Sequence, residues 1–506
     1  MDLLDSDACY RALQTRDARF DGRLFVGVTS TGIYCRPICP ARTPKRENCT
    51  FHASAAAAQE EGFRPCLRCR PETAPDLASW RGTSNTVSRA LALIAEGALD
   101  GGEAGVEALG ERLGVGERQL RRLFKQHLGA TPVAVAQTRR VLFAKQLIQE
   151  TRMPLAEVAL ASGFGSVRRF NETFQGLYQR PPSALRRKHL ASAEESSSAV
   201  AEAGVTLRLR YRPPYDWTSM LEYLSARAID GVEQVSRTGY RRMVSQDGGV
   251  GTVEVSHEPA RNNLVVTIRF PRVASLPAIV ARMRRVFDVG ADIEVIGAHL
   301  SKDPFLAPLV ALRPGLRAPG GWDGFELAVR AILGQQVTVE AARKLAGHLV
   351  ALCGEGLPPP EGLPSGLGRT FPSPERVAST DLSALGMPSA RKATLKALAD
   401  AALADPLLFH PFGTVEEGIA RLRSIRGVGE WTAQYIALRA LRETDAFPAS
   451  DVALLRSAAT DEGARPSPED LLQRAEPWRP WRAYAAQHLW AADPGPRTRL
   501  PEARHG

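Results

Sequence analysis

Four of the chain's seven cysteines fall in two short pairs. Cys35-Arg36-Pro37-Ile38-Cys39 precedes Cys66-Leu67-Arg68-Cys69, with 26 residues between the pairs. A CxxxC and a CxxC each bring two sulfurs to one point, and tetrahedral zinc takes four. Cys35, Cys39, Cys66 and Cys69 are therefore the expected ligands of one Zn2+. Such a centre supplies folding energy to a segment too small for a large core. A purely structural zinc knuckle has the same spacing. Cations crowd these cysteines: Arg36, Arg42, Lys45, Arg46, Arg64, Arg68 and Arg70. They suit phosphate oxygens, and Arg36, Arg46 and Arg68 are the expected contacts. Cys9, Cys49 and Cys353 lack partner spacing and read as ordinary thiols.

A second constellation lies near the other end. Ile425-Arg426-Gly427-Val428-Gly429-Glu430-Trp431-Thr432-Ala433 sets a Gly-x-Gly between two helical patterns. Gly427 and Gly429 would let a nucleic-acid phosphate approach backbone N–H groups at a helix start. Asp451 follows 22 residues after Gly429 and opens another helical run. An aspartate opening a helix is more often an N-cap, and a reacting carboxylate is the other reading.

Elements that could hold these groups follow from periodicity. The region from 106 to 113 is a short amphipathic helix, 114–116 a turn, and 117–128 a second helix. The pattern returns as a helix at 155–161, a turn at 162–165 and a helix at 166–175. Two turn-linked helix pairs joined by a longer helix suit two adjacent major-groove insertions. A helical bundle with a solvated basic face fits the same pattern. Arg118, Gln119, Arg122, Ser166, Arg168, Arg169 and Asn171 are the DNA-contact candidates, some of them to phosphate. Leu109, Leu120, Phe124, Phe170 and Phe174 are expected in the core. Alternating strands at 205–211 and 264–270 flank a helix at 217–228. From 321 to about 494 the pattern is helical, broken by a Pro/Gly-rich loop at 354–374.

Composition bounds the rest. At 506 residues the chain exceeds one core, and three or four domains are expected. Hydrophobic residues at 44% and charged residues at 24% are ordinary for a soluble protein. The net charge of +10 is uneven: residues 1–190 carry 28 Lys/Arg against 19 Asp/Glu, and the remainder 37 against 36. A basic N-terminal part suits an anionic partner. No apolar run approaches the ~18 residues of a membrane span. The first residues lack a signal-peptide pattern, so a cytoplasmic location with reduced thiols is expected.

Three resemblances sharpen these expectations. Thr31-Gly32-Ile33-Tyr34-Cys35-Arg36-Pro37, Arg46-Glu47-Asn48 and Gly62-Phe63-Arg64-Pro65-Cys66-Leu67-Arg68-Cys69 resemble the N-terminal domain of Ada methylation-response proteins. That resemblance implies that Cys35 is both zinc ligand and acceptor of a methyl group from a backbone methylphosphotriester. Methylation would reduce the negative charge of the thiolate centre and strengthen DNA binding. Ala161-Ser162-Gly163-Phe164-Gly165-Ser166, with Phe170, Phe174, Tyr178 and Pro181-Pro182, resembles the AraC-type DNA-binding domain. Leu327 to Val337, the glycine hairpin, Asp451 and Trp478 to Ala485 resemble AlkA-type 3-methyladenine DNA glycosylases, as does Tyr211-Arg212-Pro213-Pro214-Tyr215-Asp216-Trp217. This third resemblance implies that Asp451 is catalytic and that Trp431, Tyr435 and Trp490 line a base pocket. It also puts Gln336 at the position of the wedge that fills the vacated stack. Ser450 replaces a second acidic residue of the family. Trp431 stands where strand-cleaving relatives carry lysine, so chemistry is expected to stop at an abasic site. No Pro-Cys-His-Arg string occurs, and removal of O6-methyl lesions is not expected.

The expected architecture is multidomain. It comprises a small zinc α+β domain (1–83), an all-α double helix-turn-helix (84–190), a linker (191–204), an α+β domain (205–320) and an all-α helix-hairpin-helix domain (321–506). The expected function is excision of alkylated purines coupled to a methyl-sensing transcription regulator. The expected cofactor is one zinc and no organic group. Double-stranded DNA and RNA polymerase are the expected partners of a monomer. Two other readings remain open at this stage: an activator whose C-terminal part only binds DNA, and a glycosylase with a purely structural zinc arm.

Overall fold

The computed structural model describes residues 5–74, 85–100, 105–186, 204–356, 366–410, 414–459 and 464–493. The expected linker lies outside them except for Gly204. Two compact units emerge: Met1–Tyr211 with Ala260–Ala281, and Arg212–Pro259 with Arg282–Gly506.

In the first unit, β1 (Phe25–Val28), β2 (Ile33–Cys35), β3 (Cys49–His52) and β4 (Arg64–Pro65) form a sheet in the order β3-β1-β2-β4. Helix α1 (Ser6–Gln14) starts on Asp5, whose carboxylate accepts from the Asp7 and Ala8 N–H groups. It buries Cys9, Ala12 and Leu13 against Leu24, Val26 and Cys49. Cys9 and Cys49 are thus core thiols. Helix α2 (Ala55–Glu60) is capped by Ser54, whose hydroxyl also donates to the Leu128 carbonyl at 2.7 Å.

That contact reaches the helical part: α3 (Asn85–Ala95), α4 (Val106–Arg112), α5 (Glu117–Leu128), α6 (Pro132–Glu150), α7 (Leu155–Ala161) and α8 (Val167–Tyr178). The two turn-linked pairs are α4–α5 and α7–α8, and α6 joins them. Leu109, Leu120, Phe124, Phe170 and Phe174 are buried as expected. Helix α8 runs three residues beyond the expected end at 175, because Tyr178 continues the apolar stripe and stacks on Phe174 at 5.6 Å between centroids. The same unit holds the antiparallel pair β5 (Val205–Arg210) and β9 (Asn263–Arg269).

A buried ionic chain ties these pieces together. Lys145 of α6 is fully buried and donates to Glu72 Oε2 at 2.7 Å and to the Cys66 carbonyl at 3.1 Å. Arg70 bridges Glu72 and Glu150 at 2.9 and 2.8 Å. Glu150 accepts from the Arg208 N–H of β5 at 3.2 Å. Removing one partner of a buried pair strands the other charge. Lys145→Met is expected to destabilise this unit by about 3 kcal/mol, read as lost hydrogen-exchange protection in β1–β4 and α6. Adding Glu72→Leu should recover part of the loss. Additive losses would mean that the pair is not coupled.

In the second unit, α9 (Trp217–Arg227) starts on Asp216, and β6 (Glu233–Val235), β7 (Gly239–Gln246) and β8 (Gly249–Glu258) form an antiparallel meander. Helix α10 (Gly324–Leu333) is buried along almost its whole length. Its Glu326 pairs with Arg242 and Arg330, and Arg330 also pairs with Glu233. Burial alone would raise the Glu326 carboxyl, but the two guanidinium groups hold it down at about 2. Helices α11 (Val339–Cys353), α12 (Ser389–Ala404), α13 (Val415–Arg423) and α14 (Glu430–Ile436) follow. Cys353 is buried at the end of α11. A π-helical turn, Ala437–Leu441, extends α14, and α15 (Val452–Ser457) packs on α16 (Arg482–Ala492). Among the described residues, no helix is long and apolar enough to cross a membrane.

Candidate metal centre and active site

The parallel pairing of β2 with β4 assembles the cysteine cluster. Ile33 faces Arg64 and Tyr34 faces Pro65, and the Cys66 N–H donates to the Tyr34 carbonyl at 3.0 Å. Cys35 ends one strand and Cys66 follows the other, so both pairs emerge side by side. The four sulfurs lie within 4.8 Å of one another. Zn–S bonds of about 2.3 Å in a tetrahedron require sulfurs roughly 3.8 Å apart, so the residues fit one Zn2+. The Arg36 N–H points at Cys69 Sγ, 3.4 Å away. Cys39, Cys66 and Cys69 are buried, whereas Cys35 is partly open to solvent.

The cations around the cluster divide. Arg36, expected at phosphate, is buried: it pairs with Asp21 and donates to the Cys69 carbonyl at 3.0 Å and Thr73 Oγ1 at 2.8 Å. It braces the metal loop from inside and has no surface to offer. Arg68 is exposed. Arg46 is 40% exposed, lies over the Phe51 ring and approaches Asp7. In the helix-turn-helix pairs, Arg118, Arg122, Ser166, Arg168, Arg169 and Asn171 are exposed and Gln119 is half-buried. The Ser166 hydroxyl caps α8 by accepting from the Arg169 N–H, and Arg168 pairs with Glu172.

The second site is built around Asp451, which caps a helix and also takes side-chain partners. As N-cap of α15 its Oδ1 accepts from the Ala453 and Leu454 N–H groups at 3.0 and 3.2 Å. The same oxygen accepts from Trp490 Nε1 at 3.0 Å, and Oδ2 from Trp431 Nε1 at 2.8 Å. Oδ2 thus retains acceptor capacity. Trp431 stacks on Tyr435 at 5.3 Å and 15°, and Trp490 meets Tyr435 edge-on at 6.2 Å. All four residues are half-buried.

The hairpin between α13 and α14 uses its glycines differently. Gly427 has φ +85°, and a Cβ there would sit 1.9 Å from Thr394 Oγ1. The protein itself demands this glycine. Gly429 has φ −85°, and a Cβ there would meet nothing within 4 Å. That side of the glycine is open space. Gln336 is exposed in a left-handed conformation, φ +56°, beside the exposed Val337 and Val339.

Three residues around these groups escaped the sequence reading. Gln335 Nε2 donates to the Gly427 carbonyl at 3.1 Å and to Thr432 Oγ1 at 3.0 Å, joining the Gln336 loop to the hairpin. Arg439 is buried among Tyr223, Tyr435 and Trp490, aimed there by the π-helical turn. Tyr223 Oη lies 3.3 Å from Tyr435 Oη. Tyr223 and Arg227 stand four apart on α9, off its buried stripe of Met220, Leu221 and Leu224. That aromatic–cation pair was a visible signal.

Comparison with known proteins covers both parts of the chain. Family models match in four places: "Metal binding domain of Ada" at residues 8–72, "Helix-turn-helix domain" at 109–188, "AlkA N-terminal domain" at 206–323, and "HhH-GPD superfamily base excision DNA repair protein" at 329–482. A Mycobacterium tuberculosis protein described as "Probable bifunctional transcriptional activator/DNA repair enzyme AlkA" is 42% identical over 499 residues, 98% of each chain. The Escherichia coli "DNA-3-methyladenine glycosylase 2" is 37% identical over 56% of this chain and 95% of its own. The solved "3-methyladenine dna-glycosylase from Archaeoglobus fulgidus" shares the fold over 56% of this chain and 97% of its own, with TM-score 0.51 and 21% identity. Given 42% identity along nearly the whole of both chains, the protein belongs to the AlkA family, and it carries an Ada metal-binding domain and a helix-turn-helix domain ahead of the AlkA part.

Proposed function

We propose that the protein repairs and reports DNA alkylation. Its C-terminal part hydrolyses the N-glycosidic bond of alkylated purines of the 3-methyladenine class. Cys35 accepts a methyl group from a backbone methylphosphotriester, and the helix-turn-helix pairs then grip promoter DNA more tightly. The observation that carries the enzymatic part is the Asp451 carboxylate, fixed by two indole N–H groups and two helix-start amides beside an aromatic box.

N-alkylation makes the purine a cation and a good leaving group. An extruded, electron-poor base stacks on Trp431, Tyr435 and Trp490. The C1′–N bond breaks with its electron pair going to the base, which leaves neutral. Asp451 stabilises the positive charge that builds on the sugar, guides water to C1′ and takes the proton that water releases as the new C–O bond forms. Trp431 offers an indole where a lyase would offer an amine, so the product is an abasic site. Gly427 and Gly429 bring α14 amides to a DNA phosphate, and Gln336, flanked by Val337, occupies the vacated stack. Gly429→Ala is expected to leave the thermal midpoint unchanged and to weaken duplex binding about tenfold, by titration at fixed salt. Gly427→Ala should instead cost about 2 kcal/mol of stability.

In the sensor, zinc when bound keeps the four sulfurs deprotonated at neutral pH. Cys35 is the one partly exposed cysteine of the four. Its lone pair attacks the methyl carbon, the C–O bond breaks, and the phosphodiester leaves with the electron pair. Arg46 and Arg68 hold neighbouring phosphates, while Arg118, Gln119, Arg122, Ser166, Arg168, Arg169 and Asn171 contact promoter DNA. The segments 1–83, 84–190, 205–320 and 321–506 act as sensor, reader, support and glycosylase, in a cytoplasmic monomer that recruits RNA polymerase.

Two assays test this. The protein should release 3-methyladenine from methylated duplex DNA and leave unbroken strands with abasic sites; no release removes the enzyme. Mass spectrometry should find one added methyl on Cys35 after incubation with methylphosphotriester DNA. An unmodified Cys35 alongside base release would leave a glycosylase with a zinc-built targeting arm.

A further inference from the structure

The loop between α10 and α11 is held from both sides and bare at its tip. Helix α10 ends at Leu333, and Gln335 closes the turn by donating its N–H to the Ile332 carbonyl at 3.2 Å. Thr338 opens α11, its hydroxyl accepting from the Ala341 N–H at 3.2 Å. Gln336 and Val337 lie between these two anchors. Both are exposed, and Gln336 is left-handed, φ +56°. A residue with a side chain keeps that conformation only where its surroundings impose it.

Gln335 also reaches a different element. Its amide nitrogen donates to the Gly427 carbonyl at 3.1 Å and to Thr432 Oγ1 at 3.0 Å. A carbonyl only accepts, so the amide must present its NH2 group here, one hydrogen to the hairpin and one to α14. Both acceptors are fixed. Gly427 packs so closely on Thr394 of α12 that a Cβ would not fit, and Thr432 is buried near the start of α14. The residue just before the tip is thus tied to the glycine hairpin. A grip on a DNA phosphate and a side chain entering the base stack must keep one spacing, because backbone and bases are covalently joined. A tip free to shift against the hairpin would be competent for only a fraction of the time, and binding to an opened stack would weaken by that fraction.

We propose that Gln335 is a positioning residue for base extrusion: its side-chain amide holds the Gln336–Val337 tip at one distance from the Gly427–Gly429 hairpin, so that gripping the phosphate also aims the tip at the vacated stack. The inference rests on the reading of the hairpin and of Gln336 given above. Gln335 touches no reacting atom. It acts through Gln336, and its loss leaves the grip and removes the aim.

Two probes separate grip from aim. The full chain is titrated by fluorescence anisotropy with an undamaged duplex and with the same duplex carrying a stable abasic-site analogue. 2-Aminopurine beside the analogue reports entry of the tip as a change in fluorescence. Gln335→Met keeps the length of the side chain and removes both hydrogen bonds. The preference for the abasic duplex over the undamaged one is expected to fall about tenfold, the worth of one to two neutral hydrogen bonds, and the 2-aminopurine change should shrink with it. Affinity for the undamaged duplex should move less than about twofold, as the grip alone sets it. In base release, kcat should fall and KM should move little. In a Gln336→Ala background the tip has lost the side chain to be aimed, so Gln335→Met should change the preference by less than about twofold. Thr432→Val removes one of the two acceptors and should lower the preference by a smaller factor, which covers the case in which Gln335→Met folds poorly. A preference absent from the unaltered protein or unchanged by Gln335→Met, equal losses on both duplexes, or losses additive with Gln336→Ala would overturn the proposal. The glycosylase reading fails separately, when the unaltered protein releases no 3-methyladenine while it still prefers the abasic duplex.

Discussion

Asp451→Asn is expected to lower the release of 3-methyladenine by about two to three orders of magnitude, the usual worth of one preorganised charge-stabilising group. The substitution is chosen because Asp451 has two jobs. Asparagine is an equally good N-cap, so Oδ1 can still accept from Ala453, Leu454 and Trp490. The amide nitrogen then faces the Trp431 Nε1–H, which has lost its acceptor. One unmet donor costs about 1–2 kcal/mol, a drop of a few degrees in thermal midpoint. Activity and stability should therefore separate. Trp431→Phe supplies the control: it leaves the carboxylate but removes the 2.8 Å bond that orients Oδ2. A loss of about tenfold is expected for that smaller change. Should Asp451→Asn retain a third or more of the activity, the charge on this residue plays no part in the chemistry.

Much of this arrangement was legible before any coordinates. The CxxxC and CxxC spacings announce a four-sulfur site, which suits a tetrahedral ion. The apolar stripe through Phe170 and Phe174 marks the buried face of α8, and by subtraction marks its exposed arginines. What spacing could not convey is direction. Arg36 sits among surface cations in the chain, yet Asp21 and the Cys69 carbonyl draw it inward. No local pattern reveals a partner 15 residues upstream. Asp451 shows a different limit. A helix N-cap and a catalytic carboxylate have the same sequence signature, and the structure gives the residue both sets of partners. Arg439 was invisible for a third reason. Its aim depends on a π-helical turn, and one extra residue in a helix turn leaves no mark in a 3.6-residue periodicity.

Loss of zinc should have the largest effect on the first unit. The cluster ties β2 to β4, a parallel pair with only two residues in register, so little else holds the strand ends together. Metal binding at a structural tetrathiolate is worth about 10–16 kcal/mol, more than a small sheet earns from its own core. Stripping the metal with a strong chelator should abolish hydrogen-exchange protection across β1–β4. Protection should also fall in α6, because Lys145 hangs from the Cys66 carbonyl and Glu72. Every residue of the Asp451 box belongs to the second unit, so base release from short duplexes should survive. Cys66→Ser should reproduce the chelated state. Cys35→Ser should retain more of the fold, since the partly open ligand is the one whose loss water can best replace, but it should take up no methyl. Methylation of the intact site acts through charge. Four thiolates around a divalent cation carry two net negative charges, and a thioether at position 35 leaves one. Removing one charge about 8 Å from a phosphate is worth roughly 0.5–2 kcal/mol across the plausible dielectric range. Promoter binding should tighten by about twofold to thirtyfold at low salt, and the gain should shrink at 0.5 M salt as screening sets in. A gain that persisted undiminished at high salt would point to a rearranged interface and rule out charge as its cause.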